Sequence, residues 1–238
     1  MELDNLANSN KMYRLILLFG VCFVAISATA QNQDNIFSFY AKYISRTLDI
    51  TWKKPRGFVD LKTSAIWAQG DRKGFGSSCK VMLQSKDEDF LIMYPDMSLL
   101  LFNPKAKTWA QMSGDPDLPK RQIIIDMNDA LHSQLDKNEL NSLSDFSEYI
   151  DILSDKESPF NADTVFVVRI PLRKPYREKY LYCTSIYACK RERPPMIFRC
   201  FFTIKGKQDE TDFLSSFFKT IKYRNDNWFL NQEKNEEE

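Results

Sequence analysis

The chain has 238 residues, 43% hydrophobic and 13% aromatic with 27% charged, which excludes a disordered, collagen-like or disulfide-knot protein. Lys plus Arg number 33 against 32 Asp plus Glu, a balance with no field for nucleic acid or anionic lipid as a default partner. The 7 Gly and 1 His also argue against Gly-rich nucleotide loops and multi-histidine metal sites, so no cofactor and no metal is expected.

Residues 15–30, LILLFGVCFVAISATA, form an apolar run preceded by Lys11 and Arg14 and closed by Ala28, Thr29 and Ala30 before Gln31. A positive n-region, an apolar h-region and a small-x-small end make an export signal. Glu2 and Asp4 have no use in such a signal, whereas Met12 opens a compact one, so Met12 is read as the true start. The run falls short of the ~20 residues of a membrane span, so cleavage is expected and with it no stable membrane insertion. Val21 before Cys22 argues against lipidation. The expected organisation is a signal peptide over 1–30, one α+β domain over 31–230 and a mobile acidic tail over 231–238.

Export places Cys79, Cys183, Cys189 and Cys200 in an oxidising compartment, where four cysteines allow two bridges. Cys183 and Cys189 share one predicted strand about 20 Å apart at ~3.3 Å per residue, too far to pair with each other. Cys200 could face either one across a hairpin, and Cys79 could reach any of the three. The alternative is that all four serve as small buried apolar residues.

In chain order, Ile36, Phe37, Tyr40, Tyr43 and Ile44 recur at helical spacing and predict a first helix between Asn32 and Arg46. LDITWKKPRGFVDL reads as a hairpin about Pro55, Arg56 and Gly57, with Pro fixing one φ and Gly taking the left-handed position. Strands are expected over 79–84 and 90–94, joined by SKDED, and over 98–102. Ile124, Met127, Leu131 and Leu135 trace a helical face, and a second helix is expected from Ser144 through Leu153. Adjacent antiparallel strands follow over 163–172, 179–189 and 196–204, then a closing helix over 209–223 carrying Phe213, Phe217 and Ile221. The sum is an α+β fold: an antiparallel sheet of about six to eight strands covered by helices.

The opening segment with Trp52, Pro55, Gly57 and Phe58, together with FLSSFFKTI over 213–221, resembles the Mog1/PsbP-like fold. That resemblance implies a sandwich closed by a terminal amphipathic helix. The signal placement, Gln31 after cleavage and the Asn, Lys, Asp and Tyr content are similar to secreted Bacteroidetes-type proteins of unknown function. This implies a periplasmic or outer-surface location and no catalytic residues.

Four groups of side chains bear on chemistry. His132 lies between Asp129 and Asp136 at helical spacing, either a polarised base or a solvated face. GDRKGFGSSCK over 70–80 lacks the spacing of a phosphate loop and reads as a hairpin loop. The acidic set Asp145, Glu148, Asp151, Asp155 and Glu157 lacks the alternating ligands and Gly of a calcium loop. The basic, aromatic hairpin carries Arg173, Tyr176, Arg177, Tyr182, Tyr187, Arg191 and Arg193, with Lys174, Lys179, Tyr180 and Lys190 beside them. Those side chains can bind a protein or glycan partner, or they can protect a sheet edge from pairing. The expected function is an exported noncatalytic envelope module that binds a protein or glycan through this hairpin. The alternative is a secreted hydrolase using carboxylates and His132. The oligomeric state is not legible.

Overall fold

The computed structural model describes residues 36–47, 49–63, 65–67, 77–95, 117–131, 142–154, 158–190, 193 and 195–224. The export signal, the expected strand over 98–102, His132, Arg191 and the tail lie outside them.

Helix α1 (Ile36–Thr47) leads into β1 (Ile50–Trp52), β2 (Phe58–Asp60), β3 (Ala65–Trp67), β4 (Ser77–Ser85) and β5 (Phe90–Pro95). Then come α2 (Leu118–Ala130), a 3-10 turn (Leu143–Tyr149), β6 (Ile150–Ser154), a short 3-10 turn (Pro159–Asn161), β7 (Thr164–Ile170), β8 (Tyr182–Cys189) and β9 (Met196–Phe202). The described chain ends with α3 (Ile204–Gln208), α4 (Glu210–Phe217) and β10 (Ile221–Tyr223). Among the described residues no helix is long and apolar enough to cross a membrane.

The architecture is α+β. One antiparallel sheet runs β2-β4-β5-β9-β8-β7-β6, with β3 also pairing on β4, and a separate ribbon joins β1 to β10. Period-two alternation sends Val165, Val167, Ile186, Ala188, Phe198 and Cys200 to one face, where α1, the ribbon and α4 cover them. Phe166, Val168, Ile170, Cys183, Tyr187 and Phe201 go to the other, under α2 and the first 3-10 turn. A register shift between Cys79 and Val81 moves Cys79 to the α2 face although Val81 and Leu83 point the other way.

The turn at Pro55 forms, with the Phe58 N–H bonding the Pro55 carbonyl at 3.4 Å and Gly57 at φ 79°. The expected hairpin does not, because β1 pairs with β10 and β2 pairs with β4. The turn reverses the chain locally, while pairing goes to the edge whose partners, Ile221 and Tyr223, also need burial. The expected helix over 144–153 gives way to a 3-10 turn and the edge strand β6. Pairing β6 in register with β7, Ile150 opposite Val168, satisfies backbone groups that a short surface helix would leave open on β7. The closing helix stops at Phe217, so Ile221 and Tyr223 reach the core from a strand.

Cys79, Cys183, Cys189 and Cys200 are all free thiols. Cys183 pairs in register with Phe201 and points to the face opposite Cys200, so hairpin geometry keeps those two sulfurs apart. Burial pushes the Cys183 thiol up to about 12 and holds Cys200 well above its ordinary value.

Candidate functional site

An open cleft of about 520 Å³ lies between α1 and the β1–β10 ribbon. The Asp60 carboxylate accepts the Phe37 N–H near the start of α1 at 3.0 Å and the Lys62 N–H at 2.8 Å, tying that helix to the end of β2. Trp52 lies at the base of the cleft, its ring 5.2 Å from Phe37, 5.7 Å from Tyr40 and 4.7 Å from Tyr94. Ser38, Ser45 and Thr51 add hydroxyl groups to the lining, and the rim carries Lys42, Lys53 and Arg224. Among the described residues no carboxylate lines it and these three cations form no ion pair. Arg224 reaches the site because Thr51 pairs with Lys222 and the Arg224 N–H bonds the Asp49 carbonyl at 2.9 Å.

A second polar group is buried on the opposite face of the sheet. Arg199, on β9, is fully buried and donates to Asp126 of α2 and to Ser185 of β8, each at 2.8 Å. The Tyr187 hydroxyl donates to the same Asp126 oxygen, and Gln122 donates to the other oxygen at 3.0 Å. Burial opposes the Arg199 charge, yet the Asp126 carboxylate outweighs it and the guanidinium stays raised above its ordinary value. Tyr187 is held neutral, first by burial and then by the Asp126 charge. Through these bonds across α2, β8 and β9 the cluster clasps the helix to the sheet.

The basic hairpin is not one surface. Tyr187 is buried under α2, and Arg193 is 3% exposed with its guanidinium 5.4 Å from the Tyr223 ring centre. Both therefore depart from the exposed recognition residues expected from sequence. The Tyr–Lys–Arg alternation carries no mark of which ring will be covered by a helix over 60 residues away. Tyr176 stacks on Phe201 at 4.6 Å, and Arg173 donates to the Asp129 carbonyl. Arg177 and Tyr182 stay exposed, with the Lys207 ammonium 5.7 Å from the Tyr182 ring centre. Lys179 pairs with Glu88 at 2.6 Å, and Tyr180 is buried with its hydroxyl accepting from Gln84 at 2.8 Å. Lys190 donates to the Asn161 carbonyl at 2.9 Å, and Lys174 is exposed.

Of the remaining expectations, His132 with Asp136, most of the 70–80 loop, Asp155 and Glu157 lie outside the described residues. Asp151 is engaged by Arg169 at 2.5 Å, and Asp145 accepts the Ser142 N–H at 2.8 Å. Among the described residues no group of three acidic, His or Cys side chains is placed to hold a metal.

Two features were missed in the sequence. Arg199 had a legible signal: it is the single charge inside the apolar strand MIFRCFF. The cleft had none, since Lys42, Lys53 and Arg224 come together only through the ribbon. Against known proteins, no family model matches the chain and no curated protein matches it.

Proposed function

We propose that this chain is an exported, noncatalytic module of the cell envelope, periplasmic or on the outer surface, that binds a glycan or protein partner in the cleft between α1 and the β1–β10 ribbon. The cleft carries the reading: it is open, about 520 Å³ in volume, and combines aromatic side chains, hydroxyl groups and three cations that form no ion pair among the described residues. Of the seven residues expected from sequence, the exposed Arg177 and Tyr182 offer a second contact region.

A Mog1/PsbP-like architecture is the finer reading of the fold. It is supported by contact between the two segments that carry the resemblance, with Phe58 6.0 Å from Phe213 and Tyr94 between Trp52 at 4.7 Å and Phe217 at 6.4 Å.

Two measurements test the function. Mass spectrometry of protein recovered from the envelope should find Gln31 at the N-terminus; intact residues 15–30 in a membrane fraction would favour an anchor. Binding to a glycan array and to envelope extract should be lost in Ser38→Trp, which places an indole in the cleft from an exposed helix position. Capture unaffected by that substitution moves the binding surface elsewhere.

A further inference from the structure

We propose that the α1–ribbon cleft takes a short acidic saccharide, with its carboxylate or sulfate groups held by Lys42, Lys53 and Arg224; the inference rests on reading the cleft as the binding site.

The charge pattern comes first. The three cations come from three different segments, the body of α1, the residue after β1 and the residue after β10, so they surround the cleft instead of lining one helix. Among the described residues no carboxylate lines the cleft and the three cations form no ion pair, so the lining carries a net positive charge. Cations around a groove with apolar walls focus their field on its interior, where an anion replaces repulsion among them with attraction.

The neutral lining narrows the class. Ser38 is an exposed hydroxyl that can donate and accept, and the Thr51 hydroxyl, which donates to the Lys222 carbonyl at 3.4 Å, can still accept, which matches the hydroxyl groups of a sugar. Phe37 and Trp52 are each 8% exposed, so neither offers an open ring face. A nucleobase binds single-strand readers by stacking on an exposed ring face, and that platform is missing here among the described residues. A saccharide can instead be held through its hydroxyl groups by the polar lining. A volume of about 520 Å³ is larger than an inorganic anion uses and falls within the range of small-ligand clefts.

The test is calorimetry on the full chain as recovered from cells, with three probes: an oligogalacturonide, the same oligomer as its methyl ester, and a sulfated chondroitin disaccharide. The oligogalacturonide, the disaccharide or both should bind at least tenfold more tightly than the ester, which shows whether carboxylate or sulfate is preferred. Affinity should fall as salt rises, because exposed cations are screened within a Debye length. The double charge reversal Lys42→Glu with Lys53→Glu should weaken acidic binding at least tenfold. Both positions are exposed, and an unchanged circular dichroism melt would confirm that the fold persists. Equal affinity for acid and ester, blocked in both cases by Ser38→Trp, would overturn the charge selection and leave the cleft as a sugar site. Binding of none of the three probes would overturn the inference, with the array and extract experiment still deciding the broader reading.

Discussion

On one face of the sheet the cover is made of interlocking rings, and on the other sulfur and aliphatic side chains join the aromatic ones around a buried ionic clasp. Under α1 and α4, Phe198 meets Phe217 at 5.3 Å and 82°, and Tyr94 meets Phe198 at 5.6 Å and 82°. Edge-to-face pairs have preferred geometry, so this face specifies its own arrangement. Under α2 the cluster mixes Met82, Met93, Met127, Cys79 and Leu91 with Phe146, Phe166 and Phe201. Methionine adapts to many shapes and by itself says little about how a helix should be turned. Asp126 supplies that information by meeting Arg199, Tyr187 and Gln122. Apolar packing thus selects the first cover, and a polar clasp selects the rotation of the second.

The largest expected effects set the two faces against each other. Phe217→Ala should cost about 3–5 kcal/mol in a denaturant melt, because the cavity left beneath α4 cannot collapse onto rigid rings. Asp126→Ala should cost a similar ~3–5 kcal/mol, for a different reason: it strands a fully buried guanidinium. Replacing the pair together, Asp126→Leu with Arg199→Met, separates the mechanisms. Stability should return to within about 1–2 kcal/mol of the wild type, since an apolar pair of similar size removes the desolvation cost along with the attraction. Amide exchange in α2 should nonetheless quicken, because the groups that orient the helix are gone. A double variant as unstable as Asp126→Ala, or one whose α2 exchange is unchanged, would break the contrast between the faces.

A smaller effect is expected where α3 meets the β4–β5 turn. A Cβ built on Gly206 would lie 2.4 Å from the Asp89 carbonyl oxygen, a backbone atom that cannot swing aside. Gly206→Ala should therefore destabilise by about 1–3 kcal/mol, although the same change in an open helix favours the fold. A neutral or positive outcome would mean that the turn has slack.

The smallest effect is one of pH. Asp89 accepts from Lys205 at 2.6 Å and Thr203 at 2.8 Å, and these bonds hold its carboxyl below the ordinary carboxylate value. A depressed folded value adds stability that is present above the unfolded value of about 3.9 and is lost as pH falls through the folded one. Asp89→Asn should flatten the acid limb of the stability profile below about pH 4 and leave its slope near neutrality unchanged. A parallel offset at every pH would assign Asp89 a role independent of its charge.

Much of the sheet was readable because alternation is a local property. TVFVVRI, YCTSIYAC and MIFRCFF declare their strands, and their order β7-β8-β9 follows from short connections. Spacing along a single strand also sufficed to keep Cys183 and Cys189 from pairing. The face of α2 was less fully legible: of Ile124, Met127 and Leu131, expected inward, Met127 is buried and Ile124 packs partly buried against the core, but Leu131 is 39% exposed while Ile123 and Ala130 are buried. Turning Asp126 toward Arg199 rotates the helix by about one residue, and the apolar pattern does not contain that instruction.

The sequence by itself determined the class of the fold, the central strands, the turn at Pro55 to Gly57 and the apolar character of the segment ending at Phe217. Tertiary structure alone decided that β1 leaves its neighbour for β10, that residues 150–154 become an edge strand, and that Lys42, Lys53 and Arg224 surround one cleft. The division has a physical origin. Side-chain period and turn chemistry act within a few residues, whereas strand pairing is a competition among distant backbone edges. It is settled by which apolar side chains each pairing removes from water, and residues such as Arg224 are carried to their places by that outcome.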